Sequence, residues 1–116
     1  MSSADCLFCK ILGGEIPADI ILETEHAIAF RDINPQAPTH VLIIPRQHIA
    51  TINDLAGGDE QIVGKLFLVA QQIAREEGIA EPGYRVVMNC NAAAGQTVFH
   101  LHLHLLGGRN MHWPPG

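Results

Sequence analysis

The segment Phe99-His100-Leu101-His102-Leu103-His104-Leu105 alternates between apolar residues and histidines without a break. Such alternation is typical of a β-strand, because successive side chains of a strand point to opposite faces. We therefore predict a strand over residues 98–106, with its apolar side chains in the core. The three histidines share the other face and predict a polar cleft there, since unpaired imidazoles are costly in a dry core.

Three interpretations of these histidines compete. They could be ordinary buried or surface residues, they could bind a metal ion, or one of them could act as a nucleophile or acid–base group. A strand advances about 13–14 Å over four residues, whereas zinc–nitrogen bonds measure about 2.0–2.1 Å, so a single ion can hardly collect all three. Imidazole titrates near neutrality and can attack, donate or accept a proton at pH 7.

The loop before this strand favours the third interpretation. Gly95 lets backbone N–H groups approach a ligand closely, and the side chains of Gln96 and Thr97 add hydrogen-bond donors. A loop of this kind suits phosphate oxygens. An ordinary strand-entry turn is the alternative, and the neighbouring histidines make it the weaker one.

The remaining sequence predicts one α+β domain over residues 1–116, because a single domain commonly has about 150 residues. Apolar residues at helical spacing predict a long helix over residues 59–77, and a second apolar set on it suggests a subunit partner. A short helix capped by Asp5 precedes it. Further strands are predicted over residues 19–22, 26–31, 40–45 and 84–89, mainly in antiparallel arrangement.

Composition excludes several classes of function. Twelve acidic and seven basic residues give a formal charge of −5, which argues against a nucleic-acid polymer as partner. The apolar runs are too short to span a membrane, and the first twenty residues carry no secretory signal. Three cysteines fit metal binding or free thiols better than a disulfide framework. We therefore expect a cytoplasmic protein without membrane partners.

His100 to Leu106 has the pattern His-φ-His-φ-His-φ-φ, which is the signature of the histidine triad (HIT) superfamily, and the whole chain resembles its Hint branch. Further segments carry the resemblance: Phe8-Cys9-Lys10-Ile11, Gly14-Glu15-Ile16-Pro17, Phe30-Arg31-Asp32-Ile33, Pro35-Gln36-Ala37-Pro38-Thr39-His40, Gly95-Gln96-Thr97-Val98 and Met111-His112-Trp113-Pro114-Pro115-Gly116. Hint proteins are nucleotide-binding proteins with nucleoside phosphoramidate hydrolase activity. The resemblance implies a five-stranded antiparallel sheet with one long and one short helix, continued across a homodimer.

The resemblance also implies roles for individual residues. His102 matches a nucleophile that attacks the α-phosphorus of a purine nucleotide and forms a nucleotidyl-histidine intermediate, with AMP or GMP and an amine as products. His104 matches the histidine that hydrogen-bonds the phosphate, and His40 matches the histidine that supports the proton relay. Base, ribose and phosphate contacts fall on Phe8, Ile11, Ile16, Phe30, Asp32, Ile33, Asn89, Gly95 and Thr97. Trp113 lies in a tail, residues 107–116, that reaches toward the partner's active site in the family.

Cys6-x-x-Cys9 is half of a zinc site by itself, and no βαβ unit surrounds it to favour a thioredoxin-like redox motif. Some HIT proteins, and the related galactose-1-phosphate uridylyltransferases, complete such a site with a mid-chain histidine and the first triad histidine. The matching residues here are His48 and His100. Two thiolates and two imidazoles make a closed, structural site, which leaves His102 free. The chemistry itself needs no metal. His26, His112 and Cys90 receive no role.

The sequence thus predicts a purine nucleoside phosphoramidase. Two alternatives remain open: a nucleotide-binding regulatory module with incidental hydrolysis, and a nucleotidyl transferase in which a second phosphate substrate intercepts the intermediate.

Overall fold

The computed structural model describes residues 3–116. The helices and strands, in chain order, are α1 (Leu7–Leu12), β1 (Ile20–Glu23), β2 (Ala27–Arg31), β3 (Thr39–Pro45), α2 (Glu60–Glu76), β4 (Tyr84–Val87) and β5 (Leu103–Gly107). Short 3₁₀ helices span Ser3–Asp5, Ile52–Asp54 and Ala92–Ala94. Within this described part of the chain, no helix is both long enough and apolar enough to cross a membrane.

The five strands form one antiparallel sheet in the order β1-β2-β3-β5-β4. The predicted α+β architecture, with one long and one short helix, is confirmed. The register pairs Leu42 of β3 with His104 of β5. β5 lies between β3 and the edge strand β4, so the second half of the histidine motif is hydrogen-bonded on both sides within the sheet.

Helices cover both faces of this sheet. Odd-numbered residues of β2 and β3, such as Ala29 and Ile43, join the buried side of α2 in one core cluster. Even-numbered residues, such as Phe30 and Leu42, pack against α1 in a second cluster. This period of two follows from the pleat of the strands. The second apolar set predicted on α2 is only partly covered, since Phe67 is 50% exposed.

The histidine strand is shorter than predicted. β5 begins at Leu103, so only His104 of the three histidines lies in a regular strand. The register would set residue 101 opposite Pro45, which has no N–H to donate. The Pro45 carbonyl instead accepts from His100 Nε2 at 2.8 Å, and Leu101 donates its N–H to Ile49. The pairing therefore ends, although Leu101, Leu103 and Leu105 all remain in the core.

The cap of the first helix also differs from the prediction. Cys6, and not Asp5, is the N-cap of α1, and its Sγ accepts the N–H of Cys9 at 3.4 Å. Asp5 lies one residue earlier, in the preceding 3₁₀ helix. The cap thus directs the first cysteine toward the start of the helix, where the second cysteine follows within one turn.

A bidentate ion pair connects the end of α2 to the sheet. Arg31 Nη1 and Nη2 donate to the carboxylate of Glu77 at 2.9 and 3.2 Å. These hydrogen bonds hold the pKa of Glu77 below its usual value, against the opposing effect of burial. The charged carboxylate is therefore the form that the folded state favours.

Glu77→Gln is expected to lower stability at pH 7 by about 1 kcal/mol, or roughly 4 °C in Tm. Because the folded pKa is depressed, this contribution is complete above the unfolded pKa of about 4.3 and is lost as pH falls through the folded value. Thermal melts of both proteins between pH 3 and 7 measure it, with the exposed Glu81→Gln as control. A Tm difference that stays constant over this range would contradict the ion-pair assignment.

Candidate active site

A pocket of about 620 Å³ opens between α1, the residues after β2 and the loop before β5. Eleven of the predicted site residues line it: Phe8, Ile11, Ile16, Phe30, Asp32, Ile33, Asn89, Gly95, Thr97, His102 and His104. Residues that the sequence did not single out also line it: Leu7, Pro17, Ala18, Asp19, Arg31, Leu42 and Val98. Most of these are sequence neighbours of a predicted site residue, and this adjacency could have indicated that they line the pocket.

One side of the pocket is apolar and aromatic. Phe8 and Phe30 make an edge-to-face contact with ring centroids 5.5 Å apart, which is a favourable aromatic geometry. The ring of Phe8 also contacts that of His102, with centroids 5.1 Å apart. An apolar slot therefore adjoins the imidazoles directly.

The hydrogen bonds of His102 reveal its tautomer. His102 Nδ1 lies 2.7 Å from the carbonyl oxygen of His100, and a carbonyl only accepts, so Nδ1 carries the proton. Burial lowers the pKa of His102, although the bond to the His100 carbonyl and the charge of Asp32 oppose this. The ring is thus neutral at pH 7, and its Nε2 carries a free lone pair, as a nucleophile requires.

His104 faces the same pocket and has His40 behind it. His40 Nε2 lies 3.0 Å from His104 Nδ1 and 3.5 Å from Asp32 Oδ2. Burial, with repulsion from His102 and His40, lowers the pKa of His104 to about 4. His104 is therefore also neutral at pH 7. His40 is buried and is not among the lining residues of the pocket.

Asp32 combines a structural and a pocket position. Its Oδ1 accepts the N–H of Asn34 at 2.8 Å, which closes an Asx turn after β2. Its carboxylate also lines the pocket and can accept two further hydrogen bonds. The residue can therefore hold its own loop and still bind a pair of hydroxyl groups.

The loop between β4 and β5 has an unusual backbone. Gly95 adopts the left-handed conformation at φ 88°, which glycine reaches without steric cost. Gly95 and Thr97 line the pocket as predicted.

Gln96 differs from the prediction: its side chain is buried and is no donor to the pocket. Its amide donates to the carbonyls of Ala50 and Val98 and accepts from Asn91 N–H at 2.8 Å. These bonds occupy the donors that the sequence assigned to a phosphate.

A second polar cluster lies beside the pocket. The ligand-type atoms of Cys6, Cys9, His48 and His100 all lie within 4.8 Å of one another, so the structure brings the predicted metal residues together. His100 donates its Nε2–H to the Pro45 carbonyl, and this leaves Nδ1 as the free nitrogen that faces the thiols. Two sulfurs and two imidazole nitrogens are the donor set of a structural zinc site. The cluster therefore fits zinc by composition and by tautomer.

The C-terminal tail does not reach the pocket of its own chain. Trp113 is 82% exposed, and its ring lies 6.0 Å from the guanidinium carbon of Arg85. Arg85 also donates to the carbonyl of His112 at 3.0 Å. Among the described lining residues, none belongs to residues 107–116.

Comparisons with known proteins agree with this geometry. A family model described as the HIT domain matches residues 13–111. Purine nucleoside phosphoramidase from Escherichia coli K12 is 53% identical over 105 residues, which cover 90% of this chain and 88% of that protein. A HIT family hydrolase from Legionella pneumophila Philadelphia 1 superimposes with a TM-score of 0.94 at 56% identity, covering 97% of this chain and 100% of its own.

A zinc-bound structure is also among the relatives. The Zn-bound histidine triad family protein from Mycobacterium smegmatis is 36% identical, with a TM-score of 0.80, and covers 94% of this chain and 78% of its own. With the family-model match over most of the sequence, these similarities show that the chain belongs to the histidine triad (HIT) family.

Proposed function

We propose that this protein is a hydrolase of purine nucleoside phosphoramidates, which releases AMP or GMP and an amine. The observation that supports this most strongly is that His102 and His104 both line an apolar pocket and that His102 has an unprotonated Nε2. The similarity to a purine nucleoside phosphoramidase supports the same substrate class.

In the first step, the Nε2 lone pair of His102 attacks the α-phosphorus. A phosphorus–imidazole bond forms, the phosphorus–amine bond breaks, and the leaving amine takes up a proton from solvent. The ring becomes cationic in this nucleotidyl-histidine intermediate. Its Nδ1–H then makes a charge-assisted bond to the His100 carbonyl 2.7 Å away, which stabilises the intermediate. One difficult displacement is thereby divided into two easier ones.

In the second step, a water molecule attacks the same phosphorus. The phosphorus–imidazole bond breaks, the bond electrons return to Nε2, and the water proton passes to the product or to solvent. His102 is again neutral, with its proton on Nδ1. The nucleoside monophosphate leaves the pocket, and the cycle is balanced without any redox step.

Hydrogen-bond donors in the pocket, and not the net charge of the protein, would bind the phosphate. The chain carries a formal charge of −5, so attraction to a nucleotide depends on groups in the pocket. His104, Thr97 and Gly95 line the same pocket as His102, and they offer an imidazole N–H, a hydroxyl and a backbone N–H as donors. Preorganised donors of this kind stabilise charge that develops on phosphate oxygens.

The apolar part of the pocket, next to the imidazoles, accommodates the nucleoside. Phe8, Phe30 and Ile16 give an apolar slot for a planar base, and Asp32 accepts hydrogen bonds from the ribose hydroxyls. This arrangement is the proposed basis of purine nucleoside binding.

We also propose that the protein is a homodimer whose sheet continues through β4. β4 is an edge strand that pairs only with β5 among the described strands, and Tyr84 on it is exposed. Phe67 and Leu68 of α2 add apolar surface for a partner. The exposed Trp113 would then reach the partner's pocket.

The three cysteines are free thiols, which supports a reducing, cytoplasmic compartment.

Cys6, Cys9, His48 and His100 would hold a structural zinc ion. Such an ion would add folding stability, because these ligands would then cross-link α1 to the segments after β3 and before β5. It takes no part in the two chemical steps above. His100 connects both sites, because its ring faces the thiols while its carbonyl orients His102.

A substrate panel tests the proposed activity. Adenosine and guanosine 5′-phosphoramidates are expected to release AMP and GMP, with chromatography of the nucleotides as the measurement. Tight AMP binding without turnover over the whole panel would favour the regulatory module instead. Transfer of the nucleotidyl group to an added phosphate acceptor, in preference to water, would favour the transferase.

The ribose contact gives a separate prediction. With wild type, 2′-deoxyadenosine phosphoramidate is expected to have a kcat/KM about 10-fold below that of the ribonucleotide, because a hydrogen bond to a charged group is lost. In Asp32→Ala this difference should fall below about 2-fold, since the acceptor is already absent. The ratio removes any effect of Asp32 on His40. Equal 2′-deoxy penalties in both proteins would refute the ribose contact.

A further inference from the structure

A backbone N–H group determines which ring nitrogens of His40 and His104 carry the proton. The N–H of Gln36 donates to His40 Nδ1 at 3.0 Å. A ring nitrogen that accepts such a bond carries no proton, so the proton of neutral His40 is on Nε2. Burial lowers the pKa of His40 while the charge of Asp32 opposes this, in agreement with a neutral ring.

This tautomer determines the next one along the chain of hydrogen bonds. His40 Nε2–H points at His104 Nδ1, 3.0 Å away, so that Nδ1 must accept. The proton of His104 is then on Nε2, the nitrogen that remains for the pocket. His102 has the opposite arrangement, with its proton on Nδ1. One histidine therefore offers a lone pair to the substrate, and the other offers a donor.

Hydrogen bonds on both sides of the Gln36 N–H hold the loop that carries it. Arg109 Nε donates to the Gln36 carbonyl at 2.9 Å, and the Gln36 side chain donates to the Asn34 carbonyl at 3.0 Å. The Asx turn of Asp32 holds the same loop two residues earlier. The N–H is thus a rigid part of the loop that precedes β3.

The backbone N–H of Gln36 also affects metal binding. Asp32, His40 and His104 bring three ligand-type atoms within 4.8 Å of one another, which resembles a metal site in composition. A cation on His40 Nε2 would force the ring proton onto Nδ1, directly against the N–H of Gln36. His100 has the reverse surroundings, because a carbonyl faces its Nε2 and leaves Nδ1 free for a metal.

We propose that the backbone N–H of Gln36 is a positioning group that holds His40 as the Nε2–H tautomer, makes His104 a donor toward the substrate, and excludes metal ions from Asp32, His40 and His104. The tautomer and the exclusion of metal are independent of the proposed function. Only the expected effect on turnover rests on it.

Long-range ¹H–¹⁵N correlation spectra of the full chain, labelled at histidine, test the tautomers directly. We expect Nε2–H signatures for His40 and His104 and an Nδ1–H signature for His102 in the wild-type protein at pH 7. An Nδ1–H signature for His40 would overturn the proposal, whatever the protein is found to hydrolyse. This measurement needs no variant and decides the question even if a substituted chain fails to fold.

A pair of variants tests the N–H itself. Gln36→Pro removes the donor, whereas Gln36→Ala keeps it and removes only the side chain. We expect kcat to fall about 10-fold in the proline variant. After incubation with zinc chloride, the zinc content of this variant should rise from about one to about two ions per chain, as measured by elemental analysis. The alanine variant keeps the N–H and should therefore keep the wild-type tautomer signatures and zinc content. A wild-type protein that binds the second zinc, or a folded proline variant with wild-type spectra, would contradict the proposal.

Discussion

His102→Ala is expected to lower kcat for adenosine phosphoramidate hydrolysis by at least about 1,000-fold, because loss of a covalent nucleophile removes the route through two easier steps. The apolar slot and Asp32 remain, so AMP affinity should change by less than about 5-fold, since neither contact depends on the imidazole. AMP release and titration calorimetry measure the two quantities. The control is His26→Ala, which removes an exposed histidine.

Wild-type-like turnover by the His102→Ala protein would remove His102 as the nucleophile. Loss of AMP binding together with turnover would instead indicate that the substitution had disrupted the pocket. The circular dichroism spectrum and the melting temperature of the variant distinguish a disrupted pocket from the expected loss of the nucleophile alone.

Cys9→Ser is expected to abolish zinc binding and to lower stability by about 3 kcal/mol or more, because binding to the folded state contributes directly to folding. For a domain of this size that loss corresponds to about 10 °C in Tm. Elemental analysis and thermal melting check both quantities. Cys90→Ser is the matched control, because Cys90 is a free thiol outside the four-residue cluster.

The metal content of the purified protein can refute the zinc assignment. A native wild-type preparation that contains no metal, with a Tm that chelators leave unchanged, would contradict it. The His48 ring supports the assignment, because its Nδ1 lies 3.3 Å from Cys9 Sγ and 3.2 Å from His100 Nδ1, so both imidazoles direct a ligand nitrogen into the cluster.

The alternation in the histidine segment predicted the core positions well. Leu101, Leu103 and Leu105 are all buried, and the spacing of two places His102 and His104 at the same pocket. The long helix was equally predictable, because its buried positions recur at helical spacing. Local periodicity carries these features, so no knowledge of distant contacts was needed.

Features that depend on distant partners were not predictable in this way. The strand begins late because Pro45, more than fifty residues earlier, has no N–H and accepts from His100. Gln96 turns inward because the Ala50 carbonyl accepts from its amide. Arg31 and Glu77 meet only after α2 has packed on the sheet. Each of these contacts joins segments that the sequence pattern treats separately.

The proposed mechanism requires a nucleotidyl-histidine intermediate, and rapid-quench mass spectrometry can detect it. Wild-type protein mixed with excess adenosine phosphoramidate and quenched within the first turnover should gain the mass of one adenylyl group. Peptide mapping should locate that group on His102. A quenched protein that releases AMP at the normal rate but carries no adduct, or carries it on another residue, would contradict the account.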